Sequence, residues 1–271
     1  PLTFGGNPHP NICTFGVIMR DNIRYRYISP VSLLCSFGYD PKAQFLGVYF
    51  IHVHVQVNAA MSVDGKLSTR ERRQVKISGS DDFARVTHLR KECDAIAVGV
   101  GTVMADNPHL VLDDEEARDA RRADGKPASP HRIVLDSTGR TPTDARILHS
   151  EAKTFIVVSK RAKSDSKQAL RKAGAEIIDT HTERVSIETL LTELDNSGAE
   201  HLVVEGGGEI IFSFFDIGAV DSLTVYVGSI IIGGRDAPTL ADGDGFRFPE
   251  DTLTLENVAT IDDGVLLEYS C

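Results

Sequence analysis

The sequence contains no tryptophan, only three methionines and four cysteines, and no apolar run long enough to span a membrane. The cysteines, at positions 13, 35, 93 and 271, share no CxxC or CxxH spacing. This pattern argues against a zinc site or a disulfide framework, fits a reducing compartment, and makes a cytoplasmic location the expectation. The amino terminus also lacks a basic region followed by an apolar segment and a small-residue cleavage site, so we expect no secretory signal.

Positive charge is scarce: 29 Lys and Arg stand against 39 Asp and Glu in 271 residues, for a net charge of −10. Such a balance argues against a general binder of nucleic acid or of anionic membranes, both of which require a basic surface. Asp outnumbers Glu by 24 to 15 and Arg outnumbers Lys by 19 to 10. A halophilic origin and a merely acidic protein are both compatible with these counts.

The first 51 residues differ in composition from the rest. They hold nine of the 18 Phe and Tyr residues and a net charge of +2, which leaves −12 for the remaining 220 residues. We find no sustained period there and predict no helix or strand. The chain begins with Pro1 rather than Met, so the given start need not be the biological one. From the change in composition, we expect residues 1–51 to be a poorly ordered or non-native extension and residues 52–271 to form one domain.

Strand and helix patterns alternate from Ile51 onward. We predict strands over residues 51–57, 95–98, 132–135, 155–158, 202–205, 223–227, 229–232, 253–259 and 265–269. Helices are predicted from Ser80, which would act as the cap, over 186–195 and after Gly208. The first of these helices would have Phe83, Val86, Leu89 and Cys93 along one face. Residues 106–108 resemble a helix stop, and the charged residues 113–130 are predicted to be a loop. The fold class is therefore α/β, largely parallel, with antiparallel strands at the carboxyl end.

A strand followed by Gly206-Gly207-Gly208 and a helix is the strongest local signal. Glycines let the backbone approach a ligand, and free amides at a helix amino terminus attract phosphate. The alternative is a glycine-rich turn that binds nothing. A second pair, Gly99 and Gly101, fails the dinucleotide fingerprint because Met104 replaces the third glycine and no acidic residue follows about 20 positions on.

Other polar residues follow the predicted strands. Asn58, Asp64 and Lys66 place an amide, a carboxylate and an ammonium after the first strand, although Asp64-Gly65 could be only a turn. Ser78 and Arg90 could bind an anion together, but Arg90 alone would more often be solvated. The sequence has no HExxH, no HxE with PCxxC, no GxSxG and no GxxxxGK[ST], so we predict no metal site.

Taken together, these segments resemble a known family. Six occur in order: residues 58–66 (NAAMSVDGK), 77–79 (ISG), 98–108 (VGVGTVMADNP), 133–137 (IVLDS), 204–208 (VEGGG) and 233–239 (GGRDAPT). The chain from about residue 52 resembles the riboflavin-biosynthesis pyrimidine phosphate reductases in their stand-alone archaeal form. The same domain is also found fused to a zinc deaminase, whose ligands are missing from residues 1–50.

The resemblance implies a dihydrofolate-reductase-like fold, a homodimer, a phosphorylated pyrimidine substrate and NADPH, with NADH as a possible substitute. By position, the cofactor would contact Thr102, Asp106, Ser137, Thr138, Gly139, Arg140, Glu205, Gly206, Gly207 and Gly208. The substrate would contact Asn58, Ser78, Arg90, Asn107 and Leu110. Asn107 departs from the Asp that is common at its position.

The implied reaction reduces a ribosylamino group to a ribitylamino group by hydride transfer to C1′. A proton must also reach the opening ring oxygen, and Asp64, Lys66 and Glu205 are the candidates. Two alternatives remain: a dihydrofolate-reductase-like enzyme for another pterin or pyrimidine, and a non-catalytic nucleotide-binding regulator. The absence of Trp argues against folate reduction, and the intact Asp64, Lys66 and Glu205 argue against the regulator.

Overall fold

The computed structural model describes residues 53–148, 152–246 and 253–271, together with the backbone of three strands nearer the amino terminus. The chain forms two compact units, Pro1–His52 and Val53–Cys271. In the first unit, β1 (Phe15–Arg20) pairs antiparallel with β2 (Ile23–Ile28), which pairs with β3 (Phe50–Ile51). The prediction of no strand there is wrong. Ile23, Tyr25 and Tyr27 alternate with Arg24 and Arg26, and this period of two residues is typical of a strand. The expected poor order of residues 1–51 falls largely outside the described residues.

The second unit contains a nine-stranded sheet with the order β11-β12-β10-β4-β9-β5-β6-β7-β8. Its strands are β4 (His54–Ser62), β5 (Ala95–Gly99), β6 (His131–Leu135), β7 (Thr154–Val158), β8 (Glu176–Asp179), β9 (His201–Gly206), β10 (Ser222–Gly228), β11 (Thr254–Ile261) and β12 (Gly264–Ser270). In this order, the seven strands from β10 to β8 run parallel to one another. β12 pairs antiparallel with β10, and β11 pairs antiparallel with β12. The predicted α/β class with antiparallel carboxyl-terminal strands is confirmed.

The prediction of a strand over residues 229–232 is wrong. The backbone of this segment forms hydrogen bonds with the turn after β4 instead of with a neighbouring strand. The Val63 amide donates to the Ile230 carbonyl, and the Ile232 amide donates to the Asp64 carboxylate. An apolar sequence therefore forms a loop here because a side chain takes its hydrogen bonds.

Six helices lie in the described part of the second unit: α1 (Ser80–Glu92), α2 (Val100–Asp106), α3 (Glu115–Ala123), α4 (Ser164–Lys172), α5 (Ile187–Asn196) and α6 (Gly208–Asp216). The prediction of a loop over 113–130 is wrong because α3 lies within it. Its Asp114 cap accepts from the Glu116 amide, and its buried Arg121 donates to the carbonyls of Lys91 and Cys93. These tertiary bonds stabilise a helix whose charges alone predicted a loop.

The start of α1 also differs from the prediction. Ser80 does not cap the helix; the carboxylate of Asp262, in the turn between β11 and β12, accepts from the amides of Asp81 and Asp82. These bonds, that of Asp82 first, lower the pKa of Asp262. Phe83 is 56% exposed, so the predicted apolar face of the helix is correct only for Leu89 and Cys93, which pack in the core.

The core fills both faces of the parallel strands. On one face, Ile96, Val98, Val134, Ile156 and Val203 form one cluster with Leu170 of α4. The registers Ile96↔Val203 and Ala97↔Val204 place alternate residues on the opposite face. Because both faces are buried, these strands are continuously apolar, and their polar residues concentrate at the strand ends.

Candidate active site

The carboxyl ends of seven parallel strands meet at one edge of the sheet. Open α/β sheets bind ligands at this edge. Asp64 and Lys66 follow β4, Thr102 lies in the helix after β5, Ser137 follows β6, and Glu205 lies at the end of β9. The fold therefore places most of the predicted site residues along the same edge of the sheet.

The glycine turn after β9 begins α6. Gly207 has φ 86° and ψ 114°, a backbone conformation that requires glycine. A Cβ added to Gly206 would lie 3.3 Å from Oγ1 of Thr102. The predicted cofactor residues Thr102, Gly206 and Gly207 are therefore close together, at the amino terminus of a nine-residue helix. Free amides and the helix dipole make this a place where phosphate is stabilised.

A carboxylate from a distant segment lies against this turn. A Cβ on Gly208 would lie 2.6 Å from Oδ2 of Asp242, and it would overlap the carbonyl of Thr239. Oδ1 of Asp242 accepts from the Thr239 amide at 3.1 Å and from its hydroxyl at 2.5 Å. Gly208 thus permits close packing of the 239–242 segment. Sequence reasoning missed Asp242, since nothing in its local pattern indicates this contact.

The turns after β6 and β7 are joined to each other. The Ser159 hydroxyl donates to the Ser137 carbonyl at 2.7 Å, and the Gly139 amide closes the first turn on the Asp136 carbonyl. Gly139 has φ 69°. Arg140 and Arg161 are exposed on these turns, while Thr138 is half-buried. The predicted segment 137–140 therefore carries one exposed guanidinium, and the adjoining turn after β7 carries another.

Asp64 is fixed by hydrogen bonds on both oxygens. Oδ1 accepts from the Ser62 hydroxyl at 2.6 Å and the Ile232 amide at 3.1 Å, and Oδ2 accepts from the Gly233 amide at 2.7 Å. The bond from Ser62, followed by that from Ile232, lowers the pKa of Asp64 to about 2. At neutral pH this side chain is a carboxylate that ties the turn after β4 to the loop after β10.

Lys66 is partly buried in the same turn. Its backbone amide donates to the Ser62 hydroxyl at 2.9 Å, and its Nζ donates to the Ala237 carbonyl at 3.3 Å. An isolated bridge pairs Lys66 with Thr239. Lys66 therefore connects β4 to the 233–239 motif, and two of its ammonium hydrogens have no partner among the residues that the structure describes.

Arg90 and Glu205 form a two-bond ion pair. Arg90 donates from Nε and Nη2 to the two carboxylate oxygens at 2.8 and 2.6 Å, and their side chains are 27% and 7% exposed. Burial lowers the pKa of Arg90, but the charge and hydrogen bonds of Glu205 more than offset this and raise it. The structure pairs Arg90 with Glu205, whereas the sequence suggested a phosphate clamp with Ser78.

A second polar network lies on the same sheet face. The buried Asn58 accepts from Nη2 of Arg85 at 2.8 Å, and Nε of Arg85 donates to the buried Asp82 at 2.8 Å. Sequence reasoning included Asn58 and missed Arg85. The signal that could have indicated Arg85 was its i, i+3 spacing from Asp82 on α1.

Three further predicted residues lie at or just after the end of α2, and Ser78 lies before α1. Asp106 ends this helix, as the 106–108 segment predicted, and burial raises its pKa. Asn107 has left-handed geometry at φ 44°, and its side chain accepts from the Arg146 amide at 2.8 Å. Leu110 is 7% exposed within the core, so its side chain faces other apolar groups. Ser78 is buried just before α1.

No helix in the described ranges is long and apolar enough to cross a membrane. No group of three or more His, Cys, Asp or Glu side chains in the same residues is arranged to hold a metal ion.

Comparison with known proteins identifies the family. The profile of the RibD C-terminal domain matches residues 53–267. The chain is 45% identical over 193 residues to the 2,5-diamino-6-ribosylamino-4(3H)-pyrimidinone 5′-phosphate reductase of Archaeoglobus fulgidus, covering 71% of this chain and 88% of that one. It is 40% identical to the protein of the same name from Methanothermobacter thermautotrophicus, covering 80% and 97%.

A solved structure of Acinetobacter baumannii RibD aligns with a TM-score of 0.66 at 23% identity and covers 81% of this chain. The chain spans 58% of that longer protein, and because the identity is only 23%, this likeness shows the fold alone. The sequence matches are more specific than the fold, and they cover nearly all of the second unit. The chain belongs to the RibD C-terminal domain family.

Proposed function

We propose that this protein reduces 2,5-diamino-6-ribosylamino-4(3H)-pyrimidinone 5′-phosphate to the ribitylamino form, with NADPH as reductant, in riboflavin biosynthesis. The observation that carries the proposal is the placement of a phosphate-type glycine turn and the Asp64–Lys66 turn at one edge of the sheet. Relatives that share 45% and 40% of their residues with this chain bear the name of this reductase.

The described residues fit a dinucleotide phosphate. The Gly206-Gly207-Gly208 turn and the first amides of α6 suit the pyrophosphate, with Thr102 beside them. Arg140 and Arg161 suit a further phosphate, because a guanidinium binds phosphate through paired N–H donors. These two arginines support NADPH over NADH. When bound, the cofactor supplies a hydride.

The chain supplies position, charge and a proton. Opening of the ribosylamine breaks the C1′–O4′ bond: O4′ takes a proton, and the nitrogen, which keeps its own hydrogen, forms a double bond to C1′ as a cationic imine. Hydride addition to C1′ would then give the neutral secondary amine, so that one proton and one hydride are taken up in all. The reacting carbons must be held about 3–3.5 Å apart, and the rigid turns at the strand ends supply this positioning.

The three candidate proton donors differ in their contacts. Asp64 has a pKa of about 2 and accepts three hydrogen bonds, so it holds the turn and stabilises positive charge on the opening substrate. Glu205 is paired with Arg90. Lys66 donates one bond, to Ala237, and is the group with hydrogens to spare. We therefore assign the proton for O4′ to Lys66 and positioning roles to the two carboxylates.

The test follows NADPH absorbance with the purified full chain and the phosphorylated ribosylaminopyrimidine at several salt concentrations. NADPH should be consumed and the ribitylamino product formed, and no oxidation at any salt concentration would contradict the proposal. In parallel, NADPH should raise the thermal midpoint more than NADH does, because only a ligand that binds the native state stabilises it. Equal stabilisation would remove the assigned role of Arg140 and Arg161.

The proposal includes a homodimer. The registers place Leu255 and Val258 of β11 on one sheet face with Leu267 and Tyr269 of β12, and the first two are 52% and 55% exposed. None of these four side chains is charged. Two copies of a chain with a net charge of −10 therefore meet there with little repulsion in the proposed dimer. Sedimentation should show a dimer that Val258→Lys converts to a monomer. A monomeric wild type would contradict it. We also propose that the protein is located in the cytoplasm.

A further inference from the structure

Ser62 is a buried polar residue at the carboxyl end of β4, next to the proposed reaction site. Its side chain is 0% exposed, and it lies in register with Gly228 at the end of β10. A buried hydroxyl needs hydrogen-bond partners within the protein. Those of Ser62 lie in the turn that carries Asp64 and Lys66.

The backbone of Ser62 closes this turn. Its amide donates to the Lys66 carbonyl at 2.9 Å, and its carbonyl accepts from the Gly65 amide at 2.8 Å. Gly65 has φ 79°, a backbone conformation that favours glycine. The turn over residues 62–66 is therefore built on Ser62, whose own position is set by the sheet.

The hydroxyl of Ser62 contacts both Asp64 and Lys66. It donates to Oδ1 of Asp64 at 2.6 Å and accepts from the backbone amide of Lys66 at 2.9 Å. The first distance is typical of an O–H group that donates to a charged oxygen, which is a strong kind of hydrogen bond. The two bonds together fix the rotation of the hydroxyl. One oxygen atom therefore holds the carboxylate and the lysine backbone in a set relation.

The other side-chain hydrogen bonds of these two residues lead to the loop after β10. Asp64 accepts from two amides of that loop, and Nζ of Lys66 donates to a carbonyl there. The loop is not part of the sheet, and Ile231 within it is 72% exposed. The Ser62 hydroxyl is therefore the side-chain contact that ties Asp64 and Lys66 to the rigid end of β4.

We propose that Ser62 is a positioning residue of the reduction: its hydroxyl holds the Lys66 backbone and the Asp64 carboxylate where the proton passes to O4′. This inference rests on the proposed function, in which Lys66 supplies that proton. Without the hydroxyl, the Lys66 amide loses its acceptor and Asp64 loses one of its three hydrogen bonds. A displacement of about 1 Å can slow a reaction by about 100-fold. The hydroxyl should therefore affect the rate of proton transfer rather than the binding of ligands.

The experiment compares Ser62→Ala with the matched control Ser129→Ala. Ser129 is 3% exposed, its hydroxyl accepts from the Leu112 amide at 3.1 Å, and it precedes β6 at the edge of the sheet opposite to the site. Each variant thus loses one buried hydroxyl that accepts from a backbone amide, and both should lower the Tm by similar amounts.

The rate is measured in a single turnover of the full chain with bound NADPH and the phosphorylated substrate. We expect Ser62→Ala to oxidise NADPH roughly 10- to 100-fold more slowly than wild type, while Ser129→Ala keeps the wild-type rate. The affinities of both variants for NADPH and for the substrate should stay within about twofold of wild type, because the lost interaction acts on the reaction step.

Isotope effects identify the step that Ser62 serves. A proton transfer slowed this much limits the rate. The rate of Ser62→Ala should therefore fall in heavy water and should not respond to deuterium at the transferring position of NADPH. Loss of folded protein would lower the number of active sites without changing which step is slow. A titration with NADPH counts those sites, and each rate is expressed per site.

Ser62→Cys is the second variant, and it decides the matter if alanine prevents folding. The thiol fills the site but is only a weak donor, so the same slow step that is sensitive to heavy water is expected. A wild-type rate in Ser62→Ala or Ser62→Cys, a fall matched by Ser129→Ala, or a variant still slowed by deuterated NADPH overturns the positioning role and leaves the reductase function standing. Failure of wild type to oxidise NADPH is the separate failure of the proposed function.

Discussion

The Arg90–Glu205 pair provides a quantitative prediction about what holds the end of β9. Glu205→Ala removes a carboxylate that is 7% exposed and leaves an arginine that is 27% exposed without its partner. Breaking a buried pair costs about 3–5 kcal/mol, and the partial exposure of Arg90 favours the lower end, about 3 kcal/mol. For a unit of this size, this corresponds to a decrease in Tm of about 6–12 °C.

Thermal unfolding followed by circular dichroism measures this decrease. The matched control is Glu176→Ala, because Glu176 pairs with Lys153 at 3.0 Å with side chains 52% and 61% exposed. An exposed pair contributes about 0–1 kcal/mol, so the control should lose about 4 °C or less. Arg90→Met/Glu205→Leu should recover much of the loss, since neither charge is then left unpaired. A Glu205→Ala variant with the wild-type Tm and no turnover would refute this reasoning and place Glu205 in the chemistry.

Three further predictions concern charge. Asp242→Asn should tighten NADPH binding about tenfold in calorimetry, because one carboxylate near the α6 terminus repels pyrophosphate by roughly 1–2 kcal/mol; weaker binding would contradict this. Asp64 has a folded pKa of about 2 against 3.8, so its contribution to stability is present above pH 3.8 and is lost as pH falls toward 2. In Asp64→Asn the free energy of unfolding should depend less on pH between 3.8 and 2 in an acid-unfolding experiment. An unchanged pH dependence would contradict the role given to the hydrogen-bonded Asp64 carboxylate. Burial, then the charge of His54, lowers the pKa of His201 from 6.5 to about 4, so the free energy of unfolding should fall as pH decreases between those values. The fall should be about 2–3 kcal/mol and absent in His201→Gln; the same slope in both proteins would refute it.

Local sequence patterns predicted the structure correctly where neighbouring residues of one strand or helix share the same kind of environment. The apolar runs 95–98 and 202–205 formed buried strands because both faces of the sheet are covered, and the glycines after them began helices. The helix predicted over 186–195 is confirmed, with its cap at Ser186.

Patterns failed where a distant side chain decides the local structure. Asp262 caps α1 from 181 positions away, which no local pattern at Ser80 indicates. Asp64 takes the amides of residues 232 and 233 and prevents a strand there. Arg90 had the residue type of a phosphate ligand, but its partner was fixed by the packing of α1 against β9.

The most direct test of the central claim is the fate of the hydride. The full chain is incubated with NADPH deuterated at the transferring position and with the phosphorylated ribosylaminopyrimidine, and the product is analysed by mass spectrometry and NMR. The account predicts one deuterium per product molecule, located at C1′ of the ribityl chain. Product without deuterium, deuterium at any other carbon, or no product at all would contradict it.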